Sequence, residues 1–398
     1  MSLTLRKSKL LRQWRSFSLA TLALSFAIVP RFVIAQESGP SSEPPQAASD
    51  MATIDPALIE QQNRFTFELL RHLAEGNDEN FFCSPVNVHM ALALIEAGAA
   101  GQTQQELRQV LYGDRSIDAE AYSEYIRLMN DGQRMGVEMR TASHLWIAER
   151  WKLLPAFVDP LKNQSSSISG LDFRDVPSAI DTINDWVQAA TNELIEELAS
   201  RETINESTQA FLASAIYFQG DWGQAFCESM TQPLPFQLAD GRTKDVETMV
   251  GRLPMRIIEA DGFRVGFLPY NRDIRRMEMA ILLPSESSTI DDVMDRLNPS
   301  ELDRVLSASG QVSTASVRLP KMDFETEYEL GATLQTLGVR EAFGNRADFS
   351  QMTESGGLKI EKVIHKAVIK VDEQGTEARS RVLPSSAARL RGSVHRNL

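Results

Sequence analysis

The run EKVIHKAVIKVDEQGTEARSR, residues 361–381, says more about the fold than any other part of this 398-residue chain. From Val363 to Val371 one face of an alternation holds Val363, His365, Ala367, Ile369 and Val371, and the other holds Ile364, Lys366, Val368 and Lys370. Period two with apolar residues on both faces is the pattern of a strand well buried in a sheet. Asp372 to Gly375 breaks the apolar run, and Gly375 offers a backbone position free to adopt positive φ, so the chain can turn there like a hinge. Beyond it the period of two returns: Thr376, Ala378, Ser380 and Val382 share one face, and Glu377, Arg379 and Arg381 share the other. The first set is small or β-branched and suits burial in a sheet, while the second suits solvent.

Working outward, a second run far away in sequence is equally distinctive. NFFCSPVNVHMALALIEAGAAGQTQQEL, residues 80–107, reads as a short apolar strand, a serine N-cap and a proline at the first helical position. A helix over Val86 to Ala99 follows, and then another over Gln104 to Leu111. Taken with HKAVIKVDEQGTEA, residues 365–378, this pattern resembles the serpins, inhibitors of serine and cysteine proteases. In that family a bait loop is cleaved, inserts into the large sheet and carries the acyl-linked protease with it. Leu171-Asp172-Phe173 with Ile183 to Val187, Ala215 to Trp222, Phe267 to Tyr270, Met279 to Pro284, Val317 to Met322, Tyr328 to Val339 and Ala347 to Ser350 resemble further family motifs. The similarity spans roughly residues 55 to 378.

The resemblance implies an α+β serpin fold: a large, mostly antiparallel sheet, a second sheet behind it and about nine helices. It assigns the reactive-loop hinge to Glu373, Gly375, Thr376, Glu377 and Ala378, and it pairs Lys321 with Glu373 at the top of the large sheet. Counting the loop as the family does, with Glu373 first, puts the scissile bond between Arg389 and Leu390. An arginine there implies a trypsin-like serine protease as partner, because an acidic specificity pocket accepts a basic side chain. Ser214 stands where the family usually has asparagine, which removes the usual side chain from a hydrogen bond near the opening of the sheet.

Composition and charge narrow the alternatives. With 42% hydrophobic and 24% charged residues the chain can build a large globular domain. In residues 1–35, basic residues precede the apolar run Phe17 to Pro30, and Val33-Ile34-Ala35 offers small residues for cleavage, the layout of a secretory signal peptide. Residues 36–52 read as a disordered tether rich in Ser, Pro and Glu, and 53–398 as one serpin domain whose reactive-loop region is 372–398. Secretion, to an extracellular or periplasmic space, is the corresponding expectation. Without the six basic residues of 1–35, a stretch free of acids, 35 Lys and Arg face 54 Asp and Glu, a net charge of −19. Such a body repels nucleic acid and anionic membranes. Two cysteines, Cys83 and Cys227, cannot frame a disulfide scaffold and read as free, buried thiols. A monomer is expected.

An enzyme reading finds no site. GxSxG, HExxH, Walker A and GxGxxG are all absent. His72, His89, His144, His365 and His395 lack metal-ligand or triad spacing, so neither metal nor cofactor is expected.

The tail departs from the family. After Glu377 there is no acid, whereas Arg379, Arg381, Arg389, Arg391 and Arg396 supply five bases. Serpins continue past the cleaved bond into apolar strands of the second sheet, so the resemblance implies that those C-terminal strands are missing here. Pro384 would also remove a ladder donor from an inserted strand. The sequence therefore supports two expectations, a suicide inhibitor of serine endopeptidases or a non-inhibitory, inactive member with an altered loop.

Overall fold

The computed structural model describes residues 56–379, except 76, 78, 114, 116–122, 128–136, 162–165, 191–196, 239–241, 272–276, 286–287, 355–356 and 361–362. The signal peptide, the tether, Ser380, Val382, Pro384 and the Arg389–Leu390 bond lie outside the described residues.

Among the described residues eleven strands form two sheets. The main sheet takes β1 (Glu138–Ala148), β2 (Ser166–Leu171), β3 (Ala210–Asp221), β9 (Met322–Glu329), β10 (Ile364–Val371) and β11 (Gly375–Arg379), in the order β2-β1-β3-β11-β10-β9. The β1/β2 pair is parallel, and every other pair is antiparallel. In the second sheet β4 (Gln232–Gln237), β5 (Thr243–Ala260), β6 (Phe263–Pro269) and β7 (Glu278–Pro284) are neighbours in that order, and β8 (Val312–Pro320) pairs with β5. Prolines end β6, β7 and β8, where no further ladder donor is needed.

The main core fills the space between the two sheets. Ile216 and Phe218 of β3 and Ala367, Ile369 and Val371 of β10 meet Met249, Leu253, Leu268, Met279 and Leu319 of the second sheet. The alternation along β1 sends Leu145 and Ile147 into a cluster with the helices α1 (Pro56–Ala74), α2 (Pro85–Ala97) and α3 (Gly101–Tyr112). Trp146 and Ala148 go to the opposite face, against Ile183 and Val187 of α5 (Val176–Ala190), which follows α4 (Pro155–Leu161). Because the sheet is covered on both faces there, neither face of β1 can be polar throughout. The helices α6 (Ile290–Arg296) and α7 (Pro299–Ser307) pack on β6, and α8 (Gly331–Leu337) ends at Gly338, whose φ is 125°. Residues 123–127 add one more helical turn, so the described residues hold nine α-helical segments. The α+β class, the antiparallel sheets and the helix number agree with the sequence expectation.

Several local expectations are corrected. Residues 80–84 form no strand: Phe81, Phe82 and Cys83 are buried as an extended lead-in to α2. Tyr328 and Glu329, in a stretch whose glycine-ended pattern through Gly338 reads as helix from Tyr328 onward, end β9 instead, because pairing with β10 continues to Ile364↔Glu329. Cys83 is buried, but Cys227 is exposed beside a single 3-10 turn, Glu228–Met230. Ser84 occupies the N-cap of α2 without a side-chain capping bond.

Candidate functional site: the strand lane between β3 and β10

The turn that sequence reading places at 372–375 closes on itself. Asp372 N–H donates to Gly375 O (3.0 Å), and Gln374 N–H donates to Asp372 Oδ1 (3.0 Å), an Asx arrangement that stabilises a bend locally. Gly375 is required here for space, and its φ is not positive. A Cβ at Gly375 would stand 2.2 Å from the carbonyl oxygen of Gly220, a backbone atom that cannot step aside. The expected left-handed conformation is thus replaced by a close approach of two backbones.

From Gly375 the chain runs as β11 between β3 and β10, with Thr376 opposite Gly220 on one side and Val371 on the other. Thr376 is 2% exposed, and its Oγ1 accepts a hydrogen bond from Tyr270 Oη at 2.8 Å. Tyr270 is itself buried and stacks on Trp222, with ring centroids 4.9 Å apart and planes 9° apart. Trp222 reaches the turn twice: its backbone N–H donates to Gln374 O (2.8 Å), and its Nε1–H donates to Asp372 O (2.9 Å). Phe226 N–H donates to Glu373 O (2.9 Å).

Glu373 is 6% exposed. Lys321 Nζ donates to its Oε2 at 2.7 Å, and Thr231 Oγ1 donates to its Oε1 at 2.7 Å. Burial pushes the Glu373 carboxyl up, but the bonds from Lys321 and Thr231 outweigh that and hold it below the usual carboxylate range. The Glu373 carboxylate in turn raises the Lys321 ammonium. The hinge is thereby tied to the first strand of the second sheet's neighbourhood by Thr231 and to the junction of β8 and β9 by Lys321.

The lane continues beyond β11. Strand β11 pairs with β3 from Asp221 to Tyr217 and with β10 from Val371 to Val368. On that same side residues 210–216 of β3 have no strand partner among the described residues. Next to this lane Ser84 N–H donates to His365 Nε2 (2.9 Å), so the neutral imidazole carries its proton on Nδ1. Ser143 Oγ donates to Ser214 Oγ (3.1 Å), and Ser214 Oγ donates to Asn87 O (3.2 Å). Thr326 Oγ1 donates to Phe82 O. Ser214 therefore ties β3 to α2, using a hydroxyl where the family usually has an amide.

Of the residues singled out from sequence, Lys321, Glu373, Gly375, Thr376, Glu377 and Ala378 meet around this lane, while Arg389 and Leu390 lie outside the described residues. Thr231, Trp222, Phe226 and Tyr270 were not assigned a part in the hinge by sequence. Trp222 and Tyr270 stand within quoted motifs, so they were visible as residues, but their common target was not.

The serpin family model, described as serine protease inhibitor, matches residues 60–394. The chain belongs to the serpin family. Pig (Sus scrofa) leukocyte elastase inhibitor is 32% identical over 333 residues, covering 81% of this chain and 87% of that protein. Among solved structures, emu ovalbumin superposes with a TM-score of 0.75 at 23% identity, over 80% of this chain and 87% of that one. Reaction-loop-cleaved lamprey angiotensinogen superposes with a TM-score of 0.72 at 25% identity, over 81% and 96%. Serpins are inhibitors or carriers and not enzymes, which agrees with the lack of a catalytic constellation in the sequence. Among the described residues of this serpin there is no cluster of three metal-ligating side chains, and no helix is long and apolar enough to cross a membrane.

Proposed function

We propose that this serpin inhibits a trypsin-like serine endopeptidase by suicide cleavage. The protease serine attacks the Arg389 carbonyl, the bond to Leu390 breaks, the Leu390 amine leaves with a proton, and Arg389 stays esterified to the enzyme. The freed segment then extends β11 down the lane between β3 and β10. The observation that carries this reading is the position of Thr376–Arg379, already paired on both sides in that lane, beyond which residues 210–216 of β3 have no strand partner on that side among the described residues. The added residues, Pro384 apart, gain ladder hydrogen bonds, and the face of Thr376, Ala378, Ser380 and Val382 is buried, which drives insertion before the ester hydrolyses. Glu373, held by Lys321 and Thr231, anchors the upper end of the moving segment. Export through residues 1–35 belongs to the same reading, since a secreted inhibitor meets secreted proteases.

Incubation of the full chain with trypsin tests it. The expected result is a complex stable in SDS, lost in Arg389→Ala, with new N-terminal sequence beginning at Leu390. Cleavage there with no stable complex would overturn inhibition. It would favour the second reading, a non-inhibitory serpin, for which the specific observation is Pro384 in the segment that must insert.

A further inference from the structure

Among the described residues most strands at sheet edges are guarded. β9 carries Asp323, Glu325, Glu327 and Glu329, β4 has Pro233 and Pro235, β2 reads SSISGL, and β8 carries Arg318 after a run of hydroxyl residues. Charge, proline and polar side chains keep the free backbone groups of an edge from pairing with another chain. The edge strand β7, EMAILLP, has none of these between its two ends. It pairs with β6 in unbroken register from Phe263↔Pro284 to Pro269↔Glu278, without a bulge, and its other side has no strand partner among the described residues.

β7 is also apolar on both faces. Met279 and Ile281 join the core between the two sheets, whereas Ala280 and Leu282 join the one beside α6 and α7. A strand of this kind belongs in the interior of a sheet. Yet of residues 279–283 only Met279 is buried, and Leu283 is 46% exposed. A neighbour that completes this edge must be extended, to meet its free N–H and C=O groups, and apolar on both faces, to continue both cores.

A second copy of β7 meets both requirements. Residues 380–398 do not, because their apolar residues never run beyond Val382-Leu383-Pro384. Antiparallel self-pairing centred on Ile281 sets Met279 opposite the partner subunit's Leu283 and Ala280 opposite the partner subunit's Leu282. Glu278 then meets the partner subunit's Pro284, so no like charges face each other, and Glu278 is already paired with Arg256 at 2.8 Å. Pro284, which lacks a ladder donor, falls at the end of the pairing.

We propose that two copies of this chain associate through β7, forming one continuous sheet across a two-fold axis at Ile281 and covering Leu283 on both. The sequence reading expects a monomer; this edge makes a dimer. It belongs to the second sheet and does not depend on the inhibitor reading of the lane between β3 and β10.

Sedimentation velocity of the full chain from about 1 to about 100 μM should show a reversible equilibrium that stops at the dimer. Leu283→Lys charges an exposed position and should weaken dimerisation by about tenfold or more, while Val312→Lys, similarly exposed on β8, should leave it within about twofold. Amides of residues 279–283 should exchange more slowly at high concentration than at low. The proposal is overturned if the chain stays monomeric over this range or grows past a dimer, or if the two lysine variants dimerise equally. Protection of residues 279–283 that does not change with concentration would also overturn it, and would assign the edge to a segment of the same chain, such as the apolar run Phe17 to Pro30.

Discussion

Lys321 Nζ lies 2.7 Å from Glu373 Oε2, and the two partners are unequally exposed: 39% of the lysine side chain is accessible against 8% of the glutamate side chain. The buried partner is the anion, and it sits on the turn that aims β11 into the sheet. An ion pair built this way is more costly to break from the lysine side than to neutralise from the glutamate side.

Lys321→Met should therefore destabilise the protein by about 1–2 kcal/mol, reduced from the cost of a fully buried pair because water reaches the lysine. Glu373→Gln keeps an acceptor for Thr231 and should cost less. Because the Glu373 carboxyl is held low, its contribution is present above the ordinary carboxylate pKa and is lost as pH falls through the folded value. Denaturant melts of both variants at neutral and acid pH check the order, and an equal loss for the two would contradict it.

Gly375→Ala places a methyl 2.2 Å from Gly220 O. Both atoms belong to packed backbone, so β11 must shift away from β3. Amide protons of Thr376 to Arg379 should exchange faster, on the order of tenfold or more, while those of β1 stay unchanged. Hydrogen exchange read peptide by peptide decides it. Unchanged protection would mean that the sheet absorbs the methyl.

Burial lowers His89, His144 and His365 to about 4 each. All three are neutral in the folded state at pH 7 and would charge more readily unfolded. The sign follows: the unfolded chain binds more protons between about pH 6.5 and 4, so stability falls as pH drops through that window, by up to about 1.4 kcal/mol per pH unit for each of the buried His89 and His365 and by less for the partly exposed His144. Protonated His365 also could not accept from Ser84 N–H. The midpoint of a urea melt should move to lower denaturant between pH 7 and pH 5, and His365→Gln should flatten that dependence.

Arg256 is 1% exposed, stacks 3.5 Å over the Phe267 ring, donates to Ala308 O and pairs with Glu278 at 2.8 Å. Arg256→Leu leaves Glu278 nearly buried without its cation and should cost about 3–5 kcal/mol. The double variant with Glu278→Leu should recover most of that loss. Equal stability of single and double variants, measured by chemical denaturation, would show that the pair is not coupled.

Much of this fold was legible in the chain. The alternation from Val363 to Val371, the Asp372–Gly375 break and the returning alternation at Thr376 dictate two strands and a turn by side-chain period alone. Lys321 and Glu373 could be paired from the resemblance, although 52 residues separate them. What period and propensity could not reveal was which backbones would meet. Gly375 reads locally as a residue for positive φ, yet its reason is the carbonyl of Gly220, a contact made only once β11 lies against β3. Cys227 reads as apolar and buried, but it falls on a surface turn. Trp222, Phe226 and Thr231, on the segment leaving β3, and Tyr270, just past β6, converge on the hinge from two stretches of chain because sheet pairing brings them there. The chain alone carried the strand, turn and returning strand pattern around Asp372–Gly375 and the motifs that mark the family. Only tertiary structure decided that the strand after the turn would lie between β3 and β10, because burial and ladder hydrogen bonds are satisfied by neighbours that no local pattern specifies.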